Sequence, residues 1–183
     1  MRMTASLLLV FLVVGVAGCS RAAGPARQEV TSTEATSAKA VDAMDAADAA
    51  AKAADPRLVV VHKNETCGCC HEWVEHLKKN GFHVVVHDVS NLGPVKERVG
   101  VPYGMGSCHT AEVGGYFLEG HVPAADIARL LEEHPNAKGL TVPGMPIGAP
   151  GMEIEGQAAQ SYDVHLVAPD GSTSVYAHHG GDG

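Results

Sequence analysis

The stretch LVVVHKNETCGCCHEWVEHLKKNG, residues 58–81, decides the fold. Leu58–His62 is a short apolar run dominated by β-branched valine, the composition of a buried strand. A turn is expected at Asn64–Gly68. Cys70, Trp73, Val74 and Leu77 then recur at helical spacing, with Glu72, Glu75, Lys78 and Lys79 on the opposite side. Asn80-Gly81 stops this helix, because both residues tolerate a left-handed backbone. Phe82–Asp88 reads as a second β-branched strand. The cysteines therefore fall where a strand turns into a helix.

Downstream, Asp88–Leu92 is expected as a loop and Pro94–Gly100 as a short helix, followed by a Val101-Pro102 step. Glu112–Glu119 (EVGGYFLE) reads as a strand or hairpin arm kinked by its glycines. Pro123–Glu133 predicts a helix with Pro123 at its first position and Ile127, Leu130 and Leu131 on its inner face; Pro135 ends it. Tyr162–Val167 and Ser174–Ala177 form a late hairpin around Pro169-Asp170-Gly171. This order predicts a thioredoxin-like α/β fold, a central mixed sheet flanked by helices. The Pro/Gly-rich insert from Val142 to Met152 is an elaboration near the C-terminal end.

Upstream the chain is of another character. Met1–Ser20 carries Arg2 and then an apolar run, Leu7–Ala17, the layout of a secretory signal peptide. The run is too short for a transmembrane helix, which needs roughly 20 apolar residues. Val16-Ala17-Gly18-Cys19 resembles a bacterial lipobox, so residues 1–18 are expected as a signal peptide and Cys19 as the lipidated first residue. Ser20 favours the outer membrane over the inner. Residues 19–56 are then a lipid-anchored, Ala-rich spacer, flexible or transiently helical, since Val41 and Met44 are too few to form an apolar stripe. The domain is expected over 57–179, in the periplasm.

Composition narrows the chemistry. A formal net charge of −8 and the lack of a basic patch exclude a general nucleic-acid binder. Eleven histidines and five cysteines supply soft and borderline metal ligands. Cys67-Gly68-Cys69-Cys70 holds a C-x-x-C with a third cysteine inside it. At a helix N-terminus, free N–H groups and the helix dipole favour thiolate, which both attacks disulfides and binds metal. Disulfide exchange needs two thiols. Three thiolates within four residues suit Cu(I) or, less selectively, Zn(II). In a thioredoxin-like topology the segment after Val101-Pro102 comes beside the first turn, bringing Cys108 and His109 to the cluster. Two structural disulfides, or an iron–sulfur site on all four cysteines, are the alternatives.

Several short motifs occur in order: Thr66-Cys67-Gly68-Cys69-Cys70 with Trp73, Gly100-Val101-Pro102, Ser107-Cys108-His109-Thr110-Ala111, Gly120-His121-Val122-Pro123-Ala124 and Val142-Pro143-Gly144-Met145-Pro146. Over about residues 57–178 the chain resembles the CopG-type family of bacterial metal-binding proteins associated with copper resistance. The resemblance implies a thioredoxin-like fold and copper binding at the C-x-C-C motif, with redox cycling of the metal as an option. The Ala-rich spacer and Tyr103-Gly104-Met105-Gly106 depart from the pattern.

The expected ligands are Cys67, Cys69, Cys70 and Cys108, with His109 and His121 as weaker members. His62, His71, His76, His83 and His87 read as surface or half-buried polar residues, and His178-His179 as an exposed tail. Met145 and Met152, in near-copies of Pro-Gly-Met, read as loop packing in preference to thioether ligation. Two functions follow. One is an envelope protein that sequesters, buffers or hands on copper, with an exporter or chaperone as partner. The other is a thiol-disulfide oxidoreductase using Cys67 and Cys70.

Overall fold

The computed structural model describes residues 54–180 without a break, preceded by Ala47, Asp48, Ala50 and Ala51. The expected signal peptide, Cys19 and most of the Ala-rich spacer lie outside the described residues. Among the described residues no helix is long and apolar enough to cross a membrane. Ala47, Asp48, Ala50, Ala51 and Ala54 are helical. The carboxylate of Asp48 lies 2.9 Å from His87 Nε2, and that of Asp55 meets His83.

Leu58–Lys63 forms β1, with all six residues buried, and Gly68–Lys79 forms α1. His83–Asp88 (β2) returns parallel to β1. Gly93–Val99 (α2) ends on Gly100 in the left-handed conformation. His109–Val113 (β3) runs antiparallel to β1 and Tyr116–Glu119 (β4) antiparallel to β3. The two-residue turn between them is Gly114-Gly115, with φ of 54° and 87°. A tight hairpin turn whose two central residues both have positive φ matches strand twist and selects glycine. Ala124–Glu133 (α3), Gly139–Thr141 (β5), Tyr162–Val167 (β6) and Thr173–His179 (β7) complete the chain. The sheet order is β2-β1-β3-β4-β5-β6-β7. Its first four strands, with β2 parallel and β3 antiparallel to β1 and β4 antiparallel to β3, have the thioredoxin-like arrangement; β5 to β7 extend it.

Alternation along the strands sorts side chains to two faces. Val59, Val61, Ala111, Val113, Leu118 and Leu140 point to one side, into a single core with Trp73, Val74 and Leu77 of α1 and Ile127 and Leu130 of α3. Thr110, Glu112 and Glu119 point to the other, where Lys96 and Arg98 of α2 meet them. Helix α2 buries none of its own residues and is held there by these polar contacts.

Three details differ from the sequence expectation. Pro123 caps α3 instead of opening it, because its ψ of 140° is extended. Strand β5 is only three residues long, too short to show a period, and was not expected. His178-His179 is no tail: both residues belong to β7, which pairs antiparallel with β6 across one shift of register between Val164 and His165.

Candidate metal centre

The site is assembled from the turn into α1. The side-chain oxygen of Asn64 accepts hydrogen bonds from Thr66 N (3.0 Å) and Thr66 Oγ1 (2.7 Å), and Cys67 N donates to the Asn64 carbonyl at 3.1 Å. This turn delivers Cys67 to the cap position of α1, with Cys69 and Cys70 in its first turn. The first N–H groups of a helix have no carbonyl partner within it, so sulfur here meets its positive end. No acidic side chain in that turn offsets the field.

Cys67 and Cys70 are joined by a disulfide, while Cys69 and Cys108 are free thiols. The alternative of two structural disulfides therefore does not hold: only one is formed among these four cysteines. Cys108 lies just before β3, which pairs with β1, and reaches the cluster as the topology predicts. Its Sγ is 3.5 Å from Cys70 Sγ and 4.0 Å from Cys69 Sγ, and Cys67 and Cys69 sulfurs are 3.6 Å apart. All four sulfurs lie within 4.8 Å of one another. Metal–sulfur bonds of about 2.3 Å at tetrahedral angles put sulfurs about 3.8 Å apart. The Cys67–Cys69, Cys69–Cys108 and Cys70–Cys108 separations of 3.6, 4.0 and 3.5 Å match that spacing, and the bonded Cys67–Cys70 pair would have to be reduced and part for all four thiolates to hold one metal. Burial, followed by the nearby Cys69, pushes the Cys108 thiol up to about 11, so without a cation it stays protonated.

Two histidines extend the set. His121 is fully buried, and its Nε2 lies 3.2 Å from Cys108 Sγ. Its Nδ1 donates to the Pro150 carbonyl at 2.8 Å, which leaves Nε2 with its lone pair facing the sulfurs. Fixing one ring nitrogen on a carbonyl is how metal-binding histidines are oriented. His109 Nδ1 lies 3.4 Å from Cys108 Sγ; its ring packs between Trp73 and His121, and its Nε2 is buried without a hydrogen-bond partner. Burial lowers the pKa of both rings, His109 far more, so each stays neutral. Cys108, His109 and His121 also form a ligand group, and Cys108 belongs to both groups.

The Pro/Gly-rich insert is a wall of this site. Beyond the Pro150 carbonyl, Gly151 lies against the first turn of α1. A Cβ there would come within 2.7 Å of Trp73 N and 2.8 Å of the Cys69 carbonyl oxygen, and its φ is +81°. Gly151→Ala is expected to destabilise the protein by about 1–3 kcal/mol through overpacking, read as a lower denaturant midpoint. Met145, in the same insert, is 53 % exposed, so the expected packing role does not hold for it, whereas Met152 is half-buried.

Sequence reasoning missed the parts that hold the ligands. Glu119 is 0 % exposed, and accepts hydrogen bonds from Lys96, from Thr110 Oγ1 (2.7 Å) and from Ser107 N (2.5 Å), next to Cys108. The one available signal was a carboxylate closing the apolar run Tyr116–Leu118. His76, expected to be merely polar, accepts the Ala124 N–H at 3.1 Å and so caps α3.

Fold and site together define a thioredoxin-like domain with a cysteine–histidine cluster at the first βα turn, able to hold metal. Residues 105–152 match the family described as "Protein of unknown function, DUF411". No curated protein matches the chain. Two solved structures are similar. "Copper resistance protein copG- Form 1" is 46 % identical, with a TM-score of 0.65, over 69 % of this chain and 100 % of that one. "Copper resistance protein copG- Form 2" is 47 % identical, with a TM-score of 0.63, over 67 % and 97 %. The chain belongs to the CopG-type copper-resistance family.

Proposed function

We propose that this is an envelope protein that binds Cu(I) through Cys67, Cys69, Cys70 and Cys108, aided by His121 and His109. It sequesters copper, buffers it or hands it to an exporter or chaperone. The observation that carries this is the convergence of four sulfurs with a histidine whose Nε2 is already oriented toward them. Soft thiolates select Cu(I) over harder divalent ions. The lipobox at Cys19 supplies the address: periplasmic, lipid-anchored, at the outer membrane. Anaerobic titration of reduced protein against a Cu(I)-specific chelator tests the reading. Tight binding that is lost in C67S/C69S/C70S is expected; equal binding by that variant would refute it.

A second reading is favoured by the Cys67–Cys70 disulfide at the start of α1. Cys67 is half-exposed and Cys70 fully buried, the division between an attacking and a resolving thiol. A substrate dithiol would reduce this bond, passing two electrons and two protons to the pair and leaving as its own disulfide. The two readings separate in C69S/C108S. An oxidoreductase keeps its dithiol turnover in this variant, while a copper protein loses metal affinity.

A further inference from the structure

Strands β6 and β7 carry no cysteine, yet they bring together a second set of metal-ligand side chains. Asp163 and His178 are direct partners across the two strands. His178 Nδ1 lies 2.7 Å from the Asp163 carboxylate. An ionised carboxylate only accepts, so Nδ1 carries the proton, and the Nε2 of the neutral ring is left with its lone pair. His165 is two residues beyond Asp163 on β6, across a shift of register between Val164 and His165, and faces the same cleft. The side chain of His165 is half-buried, and among the described residues its imidazole has no hydrogen bond, ion pair or ring contact. Asp163, His165 and His178 line one open cleft of about 520 Å³, together with Pro143 and Pro146 of the insert.

An imidazole without a partner, lining the same cleft as one whose Nδ1 is held by a carboxylate, is what a two-histidine metal site with an orienting acid requires. We propose that His165 and His178 bind a divalent cation of borderline softness, with Asp163 orienting His178. The donors set the preference. Imidazole nitrogen suits Cu(II) and Zn(II), and Cu(II) heads the divalent series. Thiolate sulfur suits Cu(I). The protein therefore has a nitrogen-donor face for the divalent ion, separate from the cysteine cluster and independent of what that cluster does.

The test uses the full chain with Cys69 and Cys108 alkylated, so that free thiols neither bind nor reduce the probe, and half an equivalent of Cu(II). Paramagnetic broadening of amide signals should centre on residues 163–165 and 178, and the electron paramagnetic resonance spectrum should show two nitrogen neighbours. H165Q and H178Q should each lower Cu(II) affinity at least tenfold. D163N should lower it by about 10- to 100-fold, as removal of an orienting partner does. Metal-free spectra of each variant report its fold. Broadening centred elsewhere, or unchanged affinity in H165Q/H178Q with the fold intact, would overturn the proposal.

Discussion

Replacing Cys108 by serine is expected to lower the Cu(I) affinity of the reduced protein by about a hundredfold or more. Loss of an outer partner that merely orients a ligand costs about 10- to 100-fold, and Cys108 is a ligand in both groups. Its sulfur lies 3.5 Å from Cys70 Sγ and 3.2 Å from His121 Nε2, where it joins the thiolate donors to the imidazole donors. Hydroxyl oxygen is a harder donor and a poor match for Cu(I). A competition titration measures the loss. Cys69→Ser is expected to do less, because Cys69 belongs to only one group. Equal losses in the two variants would remove the special place given to Cys108.

Lys96→Met is expected to have the largest effect on stability, about 3–5 kcal/mol, the cost of leaving a buried charge without its partner. Glu119 is fully buried, and Lys96 is its only cationic partner among the described contacts. Burial raises the Glu119 pKa on balance, an effect only partly offset by the hydrogen bonds from Lys96, Thr110 and Ser107. Without Lys96 the folded pKa rises further. An acid whose folded pKa lies above its unfolded value favours the folded state most fully below the unfolded value. That contribution is lost as pH rises through the folded value. The variant should therefore recover stability as pH falls from neutrality toward 4.5, the ordinary value for glutamate. Denaturant unfolding at several pH values reads this directly. A deficit that does not shrink in acid would place the damage elsewhere. Because Ser107 N donates to the same carboxylate, Cu(I) affinity should fall along with stability.

The parts legible in the sequence were those with a local signature. The run of valines in β1, the cysteine turn, and Trp73, Val74 and Leu77 at helical spacing gave the βαβ start. Topology then brought Cys108 to Cys69 and Cys70 across 39 and 38 residues. The Pro150 carbonyl that fixes His121, the Gly151 contact with α1 and the Lys96–Glu119 pair were not legible, since each joins elements far apart in the chain. Carbonyls leave no mark on a sequence. Met145 read as filler because methionine usually is, and only its exposure shows otherwise. His178 and His179 read as a tail because they precede a glycine-rich end, yet pairing with β6 makes them strand.

The most direct measurement is copper K-edge X-ray absorption on protein reduced and loaded with Cu(I) under anaerobic conditions. Thiolate ligation predicts nearest neighbours that are mostly sulfur, with a minor nitrogen contribution that disappears in His121→Ala. A nearest shell of nitrogen and oxygen alone would contradict it.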